Sequence, residues 1–301
     1  MDIAITGSSG LLGSALRPAL QAAGHRVIPV VRPGSDPRGG EVLRWDPDAD
    51  TIDTAGFEGL DAVIHLAGVS IGDTRWTGRG KAAIKDSRVQ GTTLLARTLA
   101  ALQRPPATLL SASASGYYGD RGDEVITERS PVGTGFRAEV CSAWEAAARP
   151  AADAGIRLVL LRSSIVLSPD GGLLPVQLLQ FRLFGGGRFG SGRQWTSWIS
   201  LPDELGAVVH LLHDAEIEGP VNLTAPAPVT NAEYVSTLGR VLHRPSFWRI
   251  PGPALQIAAG SERAREVLLS SERILPERLT ASGYVFKHPQ LEAALRDLLG
   301  R

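Results

Sequence analysis

The chain has 301 residues, 31 of them Lys or Arg and 31 Asp or Glu, so its formal charge is zero; 43% of its residues are hydrophobic. That is enough apolar sequence to bury a large core, and the balanced charge, with no basic run, argues against a nucleic-acid partner. Cys141 is the sole cysteine, which excludes an intrachain disulfide and a thiolate metal cluster, and no apolar stretch reaches the roughly 20 residues that span a bilayer.

Residues 1–6 (MDIAIT) form a short apolar run that predicts a buried strand. A strand beginning at once leaves no room for a secretion signal, so the expected location is cytoplasmic, with no membrane partner. The turn Gly7-Ser8-Ser9-Gly10-Leu11-Leu12-Gly13 follows, then a helix from Leu11 to Ala23 closed by Gly24, then a second buried strand over Val27 to Val31. This βαβ unit carries its glycines at a helix N-terminus. There the unpaired backbone N–H groups and the helix dipole can hold a pyrophosphate, the signature of a Rossmann dinucleotide site. The spacing is G-x-x-G-x-x-G. The second strand ends at Arg32 rather than at an Asp or Glu that would bind a ribose 2′-hydroxyl, and a guanidinium suits a 2′-phosphate, so the expected cofactor is NADP(H). An exposed arginine at a strand end is the alternative.

Further strands are expected over 42–45 (VLRW), 61–68 (DAVIHLAG), 107–115 (ATLLSASAS) and 157–168 (RLVLLRSSIVLS), with helices over 82–102 and 136–154 between them. This alternation specifies an α/β fold with a doubly wound parallel sheet, which presents ligands at the C-terminal ends of its strands. After residue 168 the periodicity loosens. The stretch 185–198 (GGGRFGSGRQWTSW) is a candidate binding loop, and helical segments follow from Asn231. The domain reading is a dinucleotide-binding domain over 1–168 and a smaller mixed C-terminal lobe over 169–301, with the chain free to cross between lobes. Among the six histidines, His210 and His213 lie three apart on an apolar run, which reads as a packing or surface pair rather than a metal site; no metal is expected.

These segments resemble the extended short-chain dehydrogenase/reductase superfamily. GSSGLLG (7–13) is similar to its cofactor turn, HLAG (65–68) to its fourth-strand motif, SASASGYYG (111–119) to its catalytic-serine segment, and RSSIVLSPDGG (162–172) to the stretch at the nicotinamide end. RWTGRGKAAIKDSRVQGT (75–92), GSGRQWTSWI (190–199), PVNLTAPAPVTNAEY (220–234) and LLSSERILPERL (268–279) extend the likeness over nearly the whole chain. They are similar to an atypical subgroup of the NAD-dependent epimerase/dehydratase family that carries a C-terminal domain of unknown function. The resemblance implies cofactor contacts from Gly7 to Gly13, at Arg32, at Leu66, Ala67 and Gly68, and at Ser164.

Catalytic members of that superfamily use a Tyr four residues before a Lys on one helix, the cation making the phenol a usable acid. No Tyr-x-x-x-Lys exists here: Lys81, Lys85 and Lys287 are preceded at that spacing by Thr77, Lys81 and Gly283. Where the resemblance places the pair, the chain has Cys141 and Glu145. A carboxylate on the same helix face opposes thiolate formation, so Cys141 reads as a buried thiol and not as a nucleophile. Ser113 and Tyr117 remain as the hydroxyls for a substrate oxygen, with Arg121 the only cation in register with Tyr117; lining a pocket without catalysis is the alternative. Trp76, Arg193 and Trp195 are candidate contacts for an anionic or planar small-molecule substrate, while Trp198 reads more readily as packing. The expected activity is NADP(H)-dependent hydride transfer on a small carbonyl or alcohol. A non-catalytic NADP(H) sensor is the alternative from another class, a nucleotide-sugar epimerase is a weaker one, and a homodimer is left open.

Overall fold

A computed structural model describes residues 1–35, 40–72 and 74–301. The chain divides into two compact units: residues 1–113, 140–161 and 205–221 form one, and residues 114–139, 162–204 and 222–301 the other. The polypeptide thus passes between them several times.

The first unit is built on the main sheet. Its strands are β1 (Asp2–Thr6), β2 (Arg26–Val31), β3 (Leu43–Asp46), β4 (Thr51–Ile52), β5 (Ala62–His65), β6 (Thr108–Ala114), β7 (Arg157–Ser163) and β8 (Gly219–Leu223), in the order β8-β7-β6-β5-β1-β2-β3-β4. Parallel pairing runs from β3 through β2, β1 and β5 to β6, and β4 folds back antiparallel on β3. The helices α1 (Leu11–Ala22), α2 (Gly78–Ala100) and α3 (Phe136–Asp153) supply the crossovers. Strand order reverses beside β1, the arrangement that opens a crevice at the strands' C-terminal ends. β1 is buried over all but its first residue, as a central parallel strand requires. Ile28, Val30, Val63 and Leu109 from the strands pack with Leu94, Leu95 and Leu99 of α2 and Ala148 of α3. Each of the Ile, Val and Leu side chains contributes roughly 1.5–3 kcal/mol of burial free energy before conformational entropy is charged against it.

The second unit has its own core. Leu174, Leu178 and Phe181 of helix α4 (Leu174–Arg182) join Trp198, then Tyr234, Val235, Leu238 and Val241 of helix α6 (Asn231–Leu242), and Leu291 and Leu295 of the C-terminal helix Leu291–Leu299. Between α4 and α6 in the chain lies helix α5 (Leu201–His213). The α6 N-terminus carries a full capping box, Thr230 accepting from the Glu233 N–H and Glu233 accepting from the Thr230 N–H.

The strand expected over 157–168 is interrupted at Ser164. Residues up to Ser163 stay in the main sheet, and Ile165–Leu167 pairs instead with Trp198–Ser200. Trp198 is fully buried with its indole N–H on the Ala227 carbonyl at 3.2 Å, so it is a packing residue of this unit.

Candidate functional site

The glycine turn is shaped by where side chains are forbidden. Gly7 sits at φ +66°, where a Cβ would meet the Leu66 carbonyl carbon and oxygen at 2.8 Å. At Gly13 a Cβ would reach the Gly7 oxygen at 2.3 Å, so α1 can approach β1 only with glycine there. Gly10 differs, since its added Cβ would meet nothing nearer than the Gly7 oxygen at 3.4 Å, and the residue borders open space. Gly10 is also the α1 N-cap and offers no side-chain cap. The first-turn N–H groups of Leu11, Leu12 and Gly13 have no partner within the helix. A turn closed by two glycines and opened by a third, over an uncapped helix start, fits a pyrophosphate. Ser8 is buried in this turn, whereas Ser9 and Gly10 are exposed.

A buried network fixes the neighbouring Leu66–Gly68 segment. The Thr6 hydroxyl oxygen accepts from the N–H groups of Leu66 (3.1 Å) and Ala67 (3.3 Å), so its own proton goes to Nδ1 of His65 at 2.7 Å. His65 therefore carries its hydrogen on Nε2, which donates to Thr92 Oγ1 at 2.9 Å; the Trp144 indole N–H donates to the same oxygen at 2.9 Å. Burial pushes the His65 pKa down to about 4, consistent with this neutral tautomer.

Arg32 directly follows β2 and is half exposed, its guanidinium 3.0 Å from Asp48. Such a pair in solvent is weak and leaves the cation available to a stronger anion.

Ser113 lies near the end of β6 and is 5% exposed. Its hydroxyl donates to Glu145 Oε1 of α3 at 2.7 Å. The two residues are 32 apart in the chain, and the sequence reading had paired Glu145 only with Cys141. Cys141 is buried, and Arg88 of α2 interacts with it electrostatically; the same guanidinium lies 5.0 Å from the centre of the Trp144 ring. Arg88 comes from a different helix, so its approach to Cys141 is not visible in the local sequence.

Tyr117 falls in the short 3-10 turn Ser115–Tyr118, in the second unit. The cation on it is not Arg121. That guanidinium is engaged by the Tyr118 carbonyl (3.2 Å), the Pro131 carbonyl (2.7 Å) and Glu124 (3.3 Å). Arg162 replaces it, its guanidinium carbon 3.5 Å from the Tyr117 ring centre. Tyr118 is structural: its hydroxyl donates to Asn222 at 2.6 Å and accepts from Arg162 at 2.9 Å, and burial pushes its pKa up to about 12.

Ser164 is buried at the break between β7 and the next strand, its hydroxyl without a hydrogen-bond partner among the described residues. Trp195 is held by Asp123 at its indole N–H (2.9 Å), with the Arg273 guanidinium 4.4 Å from its ring centre; Arg193 is exposed two residues earlier. Trp76, half-buried, lies two residues before α2. Two clusters escaped the sequence reading. Ser200 donates to Asp203 at 2.7 Å and meets His288 Nδ1 at 2.9 Å, with Asp203 also accepting from the N–H groups of Lys287 and His288. Ser200 and Asp203 are fully buried, so this Ser-His-Asp set anchors the C-terminal segment and is no nucleophile. Next to it Glu204, also buried, accepts from the Ser163 hydroxyl at 2.6 Å, its second oxygen unpaired among the described residues. Among the described residues no group of histidine, cysteine and acidic side chains could hold a metal.

Residues 3–223 match the NAD dependent epimerase/dehydratase family and residues 250–298 match a domain of unknown function, DUF1731. The chain is 44% identical over 293 residues to an epimerase family protein of Mycobacterium bovis, covering 97% of this chain and 96% of that one. It is similar in structure to the human epimerase family protein SDR39U1, solved with NADPH: TM-score 0.90, 33% identity, full coverage of both chains. A nucleoside-diphosphate sugar epimerase from Corynebacterium glutamicum is 38% identical with TM-score 0.80, and the match covers all of this chain and 58% of that one.

Proposed function

The chain belongs to the NAD dependent epimerase/dehydratase family, and we propose that it is an NADP(H)-dependent oxidoreductase acting on a small carbonyl or alcohol, with Ser113 and Glu145 handling the proton. The observation that carries this reading is the 2.7 Å bond from Ser113 to Glu145 in the unit that also bears the glycine turn. The cofactor choice is supported by Arg32 after β2 and by the NADPH bound to the human relative. The N–H groups after Gly10 would hold the pyrophosphate and Arg32 the 2′-phosphate. When bound, the dinucleotide supplies or takes up a hydride. In the alcohol direction the substrate O–H donates to Ser113 Oγ, and Ser113 passes its own proton to the Glu145 carboxylate. In the carbonyl direction the proton runs back, Ser113 donating as negative charge develops on the substrate oxygen. Tyr117, lying on Arg162, is the second hydroxyl of the segment.

A screen of carbonyl compounds for NADPH oxidation tests the reading. With a substrate in hand, Ser113→Ala and Glu145→Gln should each lower kcat about 100-fold or more, and Tyr117→Phe about tenfold, with NADPH affinity unchanged. Full activity in both Ser113→Ala and Glu145→Gln refutes the proton path. The substitution of Cys141 and Glu145 for the superfamily's Tyr and Lys favours a second reading, a non-catalytic NADP(H) sensor; its signature is tight NADPH binding with no oxidation across the screen.

A further inference from the structure

The second unit carries a surface that its own fold leaves uncovered. Helix α4 is apolar on two sides: Leu174, Leu178 and Phe181 face the core, while Val176 and Leu179 are 55% and 56% exposed, followed by Leu183 at 72% and Phe184 at 56%. Positions 176, 179 and 183 are spaced three and four apart, one stripe of a helix. Gln180 and Arg182 are the exposed polar residues of this helix, and the apolar stripe beside them suits a nonaqueous boundary.

The stripe continues on a second segment. The strand Gly187–Phe189 pairs with Trp248–Ile250, Gly187 directly opposite Trp248. Phe247 and Trp248 are 73% and 53% exposed, their rings 5.0 Å apart. The Arg244 guanidinium carbon lies 4.8 Å from the Phe184 ring centre and joins the two segments.

The two segments that carry these side chains hold charge of one sign. Residues 171–202 and 234–261 contain Arg182, Arg188, Arg193, Arg240, Arg244 and Arg249 and no Asp or Glu. At the chain's average of 31 acidic residues in 301, about sixty positions would carry about six. Arg240 is paired with Glu292, whereas Arg182, Arg188, Arg244 and Arg249 are exposed beside the apolar residues.

We propose that this face docks peripherally on an anionic lipid bilayer, Leu179, Leu183, Phe184, Phe247 and Trp248 entering the acyl boundary and the arginines meeting lipid phosphates. A second copy of the chain fits poorly, because an isologous contact would set arginines against arginines. Side chains more than half exposed protrude and do not line a pocket, so the occupant is a surface they enter rather than a small molecule they enclose. Among the described residues no helix is long and apolar enough to cross a membrane, and docking of this kind needs none.

Co-sedimentation of the full chain with vesicles decides it. The protein should pellet with phosphatidylcholine vesicles containing phosphatidylglycerol at low salt and much less with phosphatidylcholine alone. Each surface arginine contributes about fivefold to partitioning, so Arg182→Glu with Arg244→Glu should weaken binding about 30-fold or more. Leu183→Asp with Phe247→Asp should weaken it at least tenfold, while Val285→Asp, at an 86% exposed valine far along the chain, should leave it unchanged. Circular dichroism checks folding, and the arginine variant carries the test if the aspartate variant unfolds. Absence of binding to anionic vesicles overturns the proposal, as does binding that neither double variant reduces. A vesicle-free dimer that Leu183→Asp with Phe247→Asp dissolves would reassign the face to contact between copies and overturn it too.

Discussion

Glu204 offers a sharp test of the structure because its burial should be visible in solution. It is 1% exposed in the first turn of α5, with one oxygen held by Ser163 and the other unpaired among the described residues, and burial raises its pKa from 4.5 to about 8. In the unfolded chain this carboxyl releases its proton near the ordinary value; in the folded protein it keeps it to much higher pH. The folded state therefore binds more protons across that interval, and stability falls as pH rises from about 4.5 to about 8. The loss amounts to about 3 kcal/mol by pH 7 and about 5 kcal/mol once the window is crossed. Glu204→Gln keeps the bond from Ser163 and removes the titration, at a constant cost of about 1–3 kcal/mol for its buried amide. Thermal melts from pH 5 to pH 9 should show curves that cross: the variant equal or weaker at pH 5, and more stable by several degrees above pH 8. Parallel curves, or a variant weaker at every pH, would refute the assignment of a buried neutral carboxylic acid at this position.

Further outcomes follow at the dinucleotide turn and at Arg32. Gly13→Ala should destabilise the fold by about 1–3 kcal/mol, because its Cβ would lie 2.3 Å from the Gly7 oxygen, whereas Gly10→Ala should melt nearly as wild type yet lose tenfold or more in NADPH affinity by calorimetry. Loss of stability in Gly10→Ala, or retained affinity, would sink the division of labour between the glycines. Asp48→Asn should raise NADPH affinity a few fold by releasing Arg32, and Arg32→Ala should lower it roughly tenfold to a hundredfold, with NADH unaffected by either. Unchanged NADPH binding in Arg32→Ala removes the 2′-phosphate assignment.

The parts of this protein that were legible in the sequence are those where local backbone demand selects the residue. Gly7 at φ +66° and Gly13 against the Gly7 oxygen leave glycine no substitute, so the turn announces itself. Buried parallel strands such as β1 and β5 are continuous apolar runs, and they alternate with helices long enough to cross the sheet. The break at Ser164 was not legible, because Ile165–Leu167 is as apolar as the strand before it and only Trp198–Ser200, more than thirty residues on, draws it into a different pairing. Arg162 was missed for the same reason. It lies 44 residues from Tyr118 and acts on Tyr117 only through the fold, while Arg121, nearby in the chain, is spent on carbonyls.

The candidate proton site shows why position along a helix is a poor guide to partnership. Cys141 and Glu145 share a helix face, and that spacing invited a thiol–carboxylate pair. In the folded chain Glu145 receives the Ser113 hydroxyl at 2.7 Å, and the Arg88 cation acts on Cys141. The exchange inverts the electrostatics of the superfamily's proton carrier: a phenol beside a cation gives way to a hydroxyl beside an anion. A cation makes a neighbouring hydroxyl a better acid, whereas a carboxylate makes it a relay that draws protons away from the substrate. On the reading proposed above, a substrate alcohol would lose its proton to this pair, and carbonyl reduction would draw a proton back through Ser113. Glu145→Gln separates the two roles of the carboxylate, since the amide oxygen can still hold Ser113 in place but cannot take its proton.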